Sequence, residues 1–305
     1  MHLILRWTKL QPALLAALIP IFLTGGGLFA QAPEYGPEKG TLVIQGGGDA
    51  AGTGIYETFI NLAGGPNAKI VIVPTAGGNR DESGKIKVYK EEEVIGSWKK
   101  LGLTDVHMLH TADPKVADTE DFAKILRDAK GVWFVGGRQW NIVDSYAKTL
   151  TEREFHKVLE RGGVIGGSSA GASIQGDYLV RGAVSGSEIV MAPEPEHQHG
   201  FAFLRKVGID QHINTRNRWD DIDPLIKKYP ELLGIGISEG TAIVVTGDHF
   251  RVIGKWKVAI HDNHRIYQPW EKPFYVLGAG DEYNMKTRAI EKLGTGVLAP
   301  ATIKK

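Results

Sequence analysis

The residues best suited to chemistry in this 305-residue chain lie in a short turn of small residues near its middle. Gly167-Ser168-Ser169-Ala170-Gly171 has the G-x-S-x-G form, in which a serine stands at a tight turn between a strand and a helix. The serine takes backbone angles that cost most side chains energy, and the glycines let strand and helix pass closely. The helix that follows would point the N–H of Ala170 at an oxyanion formed beside Ser169. The motif favours a catalytic serine, although a Gly/Ser-rich loop without a ligand fits it too.

A catalytic serine needs a base within hydrogen-bond reach and a carboxylate that orients the base. Candidates occur in residues 207–218, which contain His212, and in residues 233–241, which contain Glu239. Both segments begin as apolar strands and then turn polar abruptly, as strands that end at a site do. The order along the chain would be Ser, His, Glu.

Four motifs in this order resemble the cyanophycinase and dipeptidase E family of serine peptidases. They are Val-Gly-Gly-x-Gln, the Gly-Ser-Ser-Ala-Gly-Ala elbow, Asp-Gln-His followed by Arg-x-Arg, and Gly-Ile-Gly-Ile-x-Glu-x-Thr-Ala. The resemblance covers most of residues 41–290 and implies the α/β fold of class I glutamine amidotransferases, with serine in place of cysteine. It also implies hydrolysis of aspartyl bonds: cyanophycinase releases β-aspartyl-arginine from a storage polymer, and dipeptidase E removes N-terminal aspartate.

Carried over by position, the resemblance implies that Ser169 is the nucleophile, His212 the general base and Glu239 the orienting carboxylate. The N–H groups of Gly137 and Ala170 would form the oxyanion hole. The substrate pocket would be lined by Gln139, Asp210, Gln211, Arg216 and Arg218. These types suit an aspartyl unit, because arginine binds a carboxylate through two parallel hydrogen bonds and an acid binds an amino group.

The chain departs from the cyanophycinase pattern at one place. Cyanophycinases tend to carry a third arginine shortly after the Arg-x-Arg pair, whereas here Trp219, Asp220 and Asp221 follow. A negative charge at the pocket edge opposes binding of a carboxylate. The substrate therefore stays open between cyanophycin and other aspartyl peptides, as do the bond type (α or β), exo or endo action, and a homodimer.

Strands, turns and helices alternate through the first two-thirds of the chain, and the strands are continuous Val/Ile-rich runs such as residues 70–73. This pattern predicts an α/β fold with a doubly wound, mostly parallel sheet flanked by helices. The C-terminal third is denser in strands, which predicts an antiparallel extension that completes the sheet. We expect an extended lead-in over residues 31–40 and a single α/β peptidase domain over residues 41–305.

Residues 1–30 have the composition of a secretory signal peptide. Arg6 and Lys9 precede an apolar run, and small residues follow up to Ala30, the predicted cleavage site. The run is interrupted by Pro20 and is short for a membrane span of about 20 apolar residues. We therefore expect a secreted or periplasmic protein without a stable membrane span after processing.

Composition excludes several classes of function. The chain has no cysteine, so disulfides, thiolate metal sites and a cysteine nucleophile are ruled out. Removal of residues 1–30 leaves 34 basic against 35 acidic residues, a net charge of −1 that favours no nucleic-acid partner. The histidines in residues 197–199 and 261–264 lack a matching third ligand, so we predict no metal site, and the chemistry requires no cofactor.

Two alternatives remain beside the peptidase. The first is a non-catalytic binding protein on the same fold, which the intact serine, histidine and glutamate disfavour. The second is an α/β-hydrolase esterase, in which the acid precedes the histidine in chain order. Glu239 follows His212 here, so the order disfavours the esterase.

Overall fold

The computed structural model describes residues 31–80, 84–85 and 87–296. Contacts divide the chain after Ala32, and the fold presented here is that of the unit that begins at Pro33. The predicted signal peptide, residues 1–30, lies outside the described residues. Within the described residues no helix is both long and apolar enough to cross a membrane.

Strands and helices alternate up to the candidate serine. The elements are β1 (Thr41–Gln45), α1 (Ile55–Leu62), β2 (Ile70–Val73), α2 (Glu91–Lys100), β3 (Val106–Met108), α3 (Pro114–Ala117), α4 (Glu120–Ala123), β4 (Gly131–Phe134), α5 (Gln139–Tyr146), α6 (Leu150–Glu160), β5 (Val164–Ser168) and α7 (Ala170–Ser173). The helix α4 is short, because the chain changes to a 3-10 turn at Lys124 and the N–H of Lys130 then bonds the carbonyl of Lys69 just before β4.

Strands dominate the rest of the chain. Among the described residues, the elements of this region are β6 (Gly176–Tyr178), β7 (Leu204–Gln211), its one α-helix α8 (Asp223–Lys228), β8 (Leu233–Ile237), β9 (Thr241–Thr246), β10 (His249–Gly254), β11 (Val258–His261), β12 (Tyr275–Leu277), β13 (Glu282–Asn284) and β14 (Ala289–Lys292). Most are short, and turns rather than crossover helices join β9 to β10 and β10 to β11.

The larger sheet has nine strands in the order β14-β13-β10-β9-β1-β5-β4-β2-β3. The strands from β1 to β3 in this order pair in parallel, whereas β9, β10, β13 and β14 extend the sheet antiparallel. This confirms the predicted α/β class, with a parallel region flanked by helices and antiparallel strands toward the C-terminus.

A second sheet of five strands, in the order β12-β11-β8-β7-β6, differs from the expectation of one completed sheet. β7 pairs in parallel with both β6 and β8, and β11 and β12 continue antiparallel. The segments expected to carry the base and the acid therefore belong to a different sheet from the serine.

Buried side chains cover both faces of the larger sheet, which explains its apolar strands. On one face Phe59 of α1 and Trp98 of α2 pack edge-on against Trp133 of β4, with ring centroids 5.0 Å and 5.4 Å from it. Gly166 of β5 makes room for this cluster, because a Cβ there would lie 2.3 Å from the Trp133 ring. On the other face Phe134 contacts Phe155 of α6, with centroids 4.9 Å apart. Helices thus pack on both sides of β4.

The segment before β1 is attached to the strands. Tyr35 is buried, and the N–H of Gly36 donates to the carbonyl of Gly247 at 3.0 Å. The Arg205 guanidinium donates to the carbonyl oxygens of Pro33 and Gly36, both at 2.6 Å. The fold therefore includes ordered chain N-terminal to its first strand.

Candidate active site

Ser169 lies between the end of β5 and the start of α7. Its φ of 58° and ψ of −114° are strained for a residue with a side chain, as the sequence motif predicts. Its N–H donates to the carbonyl of Gln45, at the end of the neighbouring strand β1, at 3.1 Å. The flanking glycines are required sterically: a Cβ on Gly167 would lie 2.1 Å from the carbonyl oxygen of Gly171. The turn holds the hydroxyl at the carboxyl edge of the parallel strands.

His212 follows the last residue of β7 directly and brings the second sheet to this edge. Its φ is 57°, and its N–H donates to the carbonyl of Gly46 at 2.8 Å. Its Nε2 lies 2.8 Å from Oγ of Ser169. The structure therefore places an imidazole within hydrogen-bond reach of the candidate nucleophile, 43 residues apart along the chain.

Glu239 lies two residues beyond the end of β8, and its Oε1 is 2.5 Å from Nδ1 of His212. A carboxylate only accepts hydrogen bonds, so Nδ1 carries the proton and Nε2 is free to accept from the Ser169 hydroxyl. Thr215 donates to the same Oε1 at 2.8 Å, and the side chain of Asn214 accepts the Glu239 N–H at 2.9 Å. Sequence reasoning missed Asn214 and Thr215, although they lie only two and three residues after the histidine.

The surroundings shift the pKa of both titratable groups. Burial lowers the pKa of His212, and the charges of Arg216 and Arg218 add to this, while Glu239 opposes it. Burial alone would raise the pKa of Glu239, but hydrogen bonds from His212 and Thr215 outweigh it and hold the pKa below its ordinary value. At neutral pH the histidine is therefore neutral, as a base must be, and the glutamate is charged.

Residues 46–48, the glycines after β1, pass beside both partners of the serine. An added Cβ on Gly47 would lie 2.2 Å from Cε1 of His212, and one on Gly48 would lie 2.6 Å from Oε2 of Glu239. Both glycines also have positive φ, 103° and 70°. Larger residues would displace the imidazole and the carboxylate, so this loop must consist of glycine.

The candidate oxyanion-hole residues, Ala170 and Gly137, lie in the chain next to Ser169 and next to Gly136. Ala170 is the first residue of α7, so its N–H has no partner inside the helix. A Cβ on Gly136 would lie 3.1 Å from Cβ of Ser169, and Gly137 follows it with a φ of 146°. Gly137 thus follows directly on the residue that packs against Ser169, and Ala170 follows Ser169 itself, so both stay candidates for the oxyanion hole.

Three residues that the resemblance assigns to substrate binding lie at different depths. Gln139, the first residue of α5, is 2% exposed and donates to the carbonyl of Val180 at 2.8 Å. Gln211, the last residue of β7, is 4% exposed, and its Oε1 has no hydrogen-bond partner among the described residues. Arg216 is exposed, and its charge acts on both the imidazole and the carboxylate.

The other two are buried ionic groups. Asp210 is fully buried, and its two oxygens accept from Nε and Nη2 of Arg181 at 2.7 Å and 2.8 Å. Arg218 is 2% exposed and donates from Nη2 to Glu188 at 2.9 Å. Its Nε and Nη1 are buried without a partner among the described residues. The carboxylate of Asp210 is therefore engaged with protein, whereas Arg218 retains two donors.

Arg181 is a residue that sequence reasoning missed. Besides Asp210 it donates to Asp221 at 2.7 Å and to the carbonyl of Ser187 at 2.9 Å. Asp221, which stands where the resemblance expects an arginine, is thus paired with an arginine from another loop. The sequence carries no signal for this pairing, because the two residues are 40 positions apart and no periodicity links them.

The two histidine-containing segments, residues 197–199 and 261–264, bond protein groups away from Ser169. His197 bonds Asp144 through Nε2 at 2.8 Å, and His261 bonds the carbonyl of Trp219 at 3.0 Å. In the described ranges no three His, Cys, Asp or Glu residues converge as metal ligands.

The chain is similar to known peptidases over the residues that form this site. Residues 42–253 match peptidase family S51. The chain is 31% identical over 268 residues to cyanophycinase from Geminocystis herdmanii, covering 81% of this chain and 93% of that protein. It is 27% identical over 275 residues to cyanophycinase from Synechococcus elongatus, covering 85% and 83%.

The fold agrees with these matches. The crystal structure of a peptidase from an acI-B1 Actinobacterium superposes with a TM-score of 0.59 at 24% identity, covering 81% of this chain and 97% of that one. The family match and the curated relatives confirm the predicted serine-type peptidase. The chain belongs to peptidase family S51.

Proposed function

We propose that this protein hydrolyses aspartyl peptide bonds through an acyl-enzyme on Ser169, with His212 as general base and Glu239 as the carboxylate that orients it. The observation that carries the proposal is the unbroken line of hydrogen bonds: 2.8 Å from Ser169 to His212 and 2.5 Å from His212 to Glu239. A serine elbow, a neutral base and a charged acid are the parts that this chemistry needs.

In the first step Oγ of Ser169 attacks the scissile carbonyl carbon while its proton passes to Nε2 of His212. The carbonyl oxygen becomes an oxyanion, which the N–H groups of Ala170 and Gly137 stabilise; loss of one such donor costs about 100- to 1000-fold in rate. The imidazolium then gives its proton to the departing amine as the C–N bond breaks. Water, activated by His212, hydrolyses the ester left on Ser169 and restores the hydroxyl.

The proposed substrate presents an aspartyl unit. Arg218 supports this, because its Nε and Nη1 can donate to a carboxylate, and the exposed guanidinium of Arg216 adds positive charge. The curated relatives are cyanophycinases, which makes cyanophycin the first candidate. A dipeptidase E-like aspartyl dipeptidase is the second, because Asp221, in an ion pair with Arg181, stands where cyanophycinases tend to carry an arginine.

The test uses the purified protein and a Ser169→Ala control, incubated with cyanophycin and with a panel of α- and β-aspartyl dipeptides. Release of β-aspartyl-arginine by the wild type alone supports a cyanophycinase. Cleavage of dipeptides but not of polymer supports the dipeptidase. If nothing is cleaved and a fluorophosphonate fails to label Ser169, the catalytic proposal is wrong.

We also propose that the protein is exported and cleaved after Ala30, which makes it periplasmic or extracellular. Support comes from the basic start, the apolar run and the small residues of positions 1–30. N-terminal sequencing of the protein from periplasm and culture medium tests this. A chain that stays in the cytoplasm and still begins at Met1 would contradict it.

A further inference from the structure

A cavity of about 740 Å³ is lined by Arg138, the residue that follows Gly137 of the candidate oxyanion hole. Its walls come from the loop after β2, the start of α3 and the first turns of α5. Charged and polar side chains on these walls are Arg80, Asp113, Arg138, Trp140, Asn141 and Asp144. The volume lies within the range of about 300–1,000 Å³ that small-ligand sites occupy.

We propose that this cavity is a second substrate subsite, which binds the neighbouring charged residue of an extended aspartyl peptide. The proposal rests on the proposed function, since it assumes that the scissile bond lies at Ser169. The occupant is a residue that carries both a carboxylate and a cationic group, such as an arginyl unit. The protein would then prefer substrates longer than one aspartyl unit.

The position of Arg138 connects the cavity to the site of chemistry. Gly136 packs against Ser169, Gly137 follows, and Arg138 lines the cavity with its N–H bonded to the carbonyl of Ala76 at 2.7 Å. Successive Cα atoms are about 3.8 Å apart, and an extended peptide advances about 3.3–3.6 Å per residue. The cavity therefore begins one residue along the chain from Gly137, which is the length that one further residue of an extended substrate spans.

Positive charge in the cavity suits a substrate carboxylate. The Arg138 guanidinium is held by a hydrogen bond from Nη2 to the carbonyl of Ala183 at 2.8 Å. Arg80 is held similarly, by a bond from Nη1 to the carbonyl of Gly84 at 2.8 Å. A guanidinium has five N–H donors, so the bond to Ala183 orients the Arg138 group, whose other donors have no acceptor among the described residues.

Negative charge and an aromatic ring in the same cavity suit a cation. The Asp144 side chain is 46% exposed, and only its Oδ1 bonds His197. The neighbouring Trp140 offers an indole face, on which a guanidinium can stack. Asn141 is 1% exposed, and its Oδ1 and the Trp140 Nε1 lack partners among the described residues. Buried polar atoms of this kind are usually completed by a ligand or water.

The test measures binding of synthetic peptides with one or two β-aspartyl-arginine units to the Ser169→Ala protein by calorimetry. We expect the two-unit peptide to bind at least about tenfold more tightly, because the second unit adds charge-assisted hydrogen bonds. Asp144→Asn and Arg138→Gln on this background should each reduce that ratio about tenfold. Asp121→Asn is the matched control, since it removes one charge from a 94% exposed side chain elsewhere.

Asp144→Asn keeps an oxygen toward His197, and melting temperatures equal to that of the control establish that each variant is folded. Equal affinity for the two peptides, binding of neither, or a ratio unchanged in both variants would overturn the subsite. These results are independent of hydrolysis. If the wild type cleaves no peptide, the proposed function falls, while the affinity ratio still decides whether the cavity binds a second unit.

Discussion

Arg181 holds Asp210 through two parallel hydrogen bonds, 2.7 Å and 2.8 Å long, and neither side chain is exposed to solvent. Asp210 lies on β7, two residues before His212, and its Oδ1 also accepts the N–H of Gln211 at 2.9 Å. The strand end that carries the candidate base His212 is thereby fixed by a buried ion pair with an arginine from the loop after β6. Arg181 thus contacts the strand that leads to His212 through Asp210.

The Arg181→Met variant leaves the Asp210 carboxylate buried and unpaired. We expect a loss of about 3–5 kcal/mol in the free energy of unfolding, because a buried charge without its partner is strongly unfavourable. The double variant Arg181→Met/Asp210→Leu should lose less than the sum of the two single variants. Urea unfolding followed by circular dichroism measures all three. Additive losses would show that the pair is not coupled.

Gly47→Ala should abolish most activity without unfolding the protein. The new Cβ would lie 2.2 Å from Cε1 of His212, so the imidazole must move. A displacement of about 1 Å at a reacting group costs about 100-fold in rate. Gly52→Ala is the matched control, because Gly52 also has positive φ, 65°, but nothing lies within 4 Å of its Cβ position. Equal rates of fluorophosphonate labelling in the two variants would contradict the prediction.

Glu239→Gln should lower kcat on the order of 10⁴-fold, because an amide can donate to Nδ1 of His212 and so favour the tautomer that cannot accept the Ser169 proton. Thr215 bonds the side chain at this position and Asn214 bonds its backbone N–H, so the variant should fold normally. Glu93→Gln, at an exposed ion pair on α2, provides the control. Hydrolysis of an aspartyl peptide, or labelling of Ser169, measures the effect. A variant with the wild-type rate would exclude Glu239 as the orienting acid.

Stability should fall as the pH is lowered below about 6.5. Burial, with a smaller effect of Lys87, lowers the pKa of His110 to about 4, whereas an unfolded histidine titrates near 6.5. Between these values the unfolded chain binds a proton that the folded chain does not, so the free energy of unfolding decreases with decreasing pH. His110 is partly solvated, and we expect it to contribute about 1 kcal/mol. His110→Gln should lose correspondingly less stability between pH 7 and pH 4.5 in urea unfolding; an unchanged pH dependence would refute this.

The alternation of strands and helices could be predicted because strands buried on both faces, such as β2 and β4, are continuous apolar runs. The elbow of Ser169 could be predicted because its turn restricts the neighbouring residues to glycine and small side chains. The division into two sheets could not. β7 pairs with β6 and β8, and nothing in its apolar pattern distinguishes these neighbours from the strands of the larger sheet.

The buried ion pair between Arg181 and Asp210 could not be predicted either. A lone arginine such as Arg181, after an apolar strand, is most often a surface residue. Its burial depends on Asp210, which lies 29 positions later. The tertiary fold brings the two residues together, and no local pattern in the sequence around either one indicates the pairing.

Ser169 is carried by the nine-stranded sheet, whereas His212 and Glu239 extend from the five-stranded one. The two sheets are joined at this edge by backbone hydrogen bonds, such as the one from the His212 N–H to the carbonyl of Gly46 at 2.8 Å. The hydrogen bond between Ser169 and His212 therefore depends on contacts between the sheets, whereas circular dichroism reports the strands within each sheet. In mild urea the protein should lose its catalytic activity while its circular dichroism is still that of the native state.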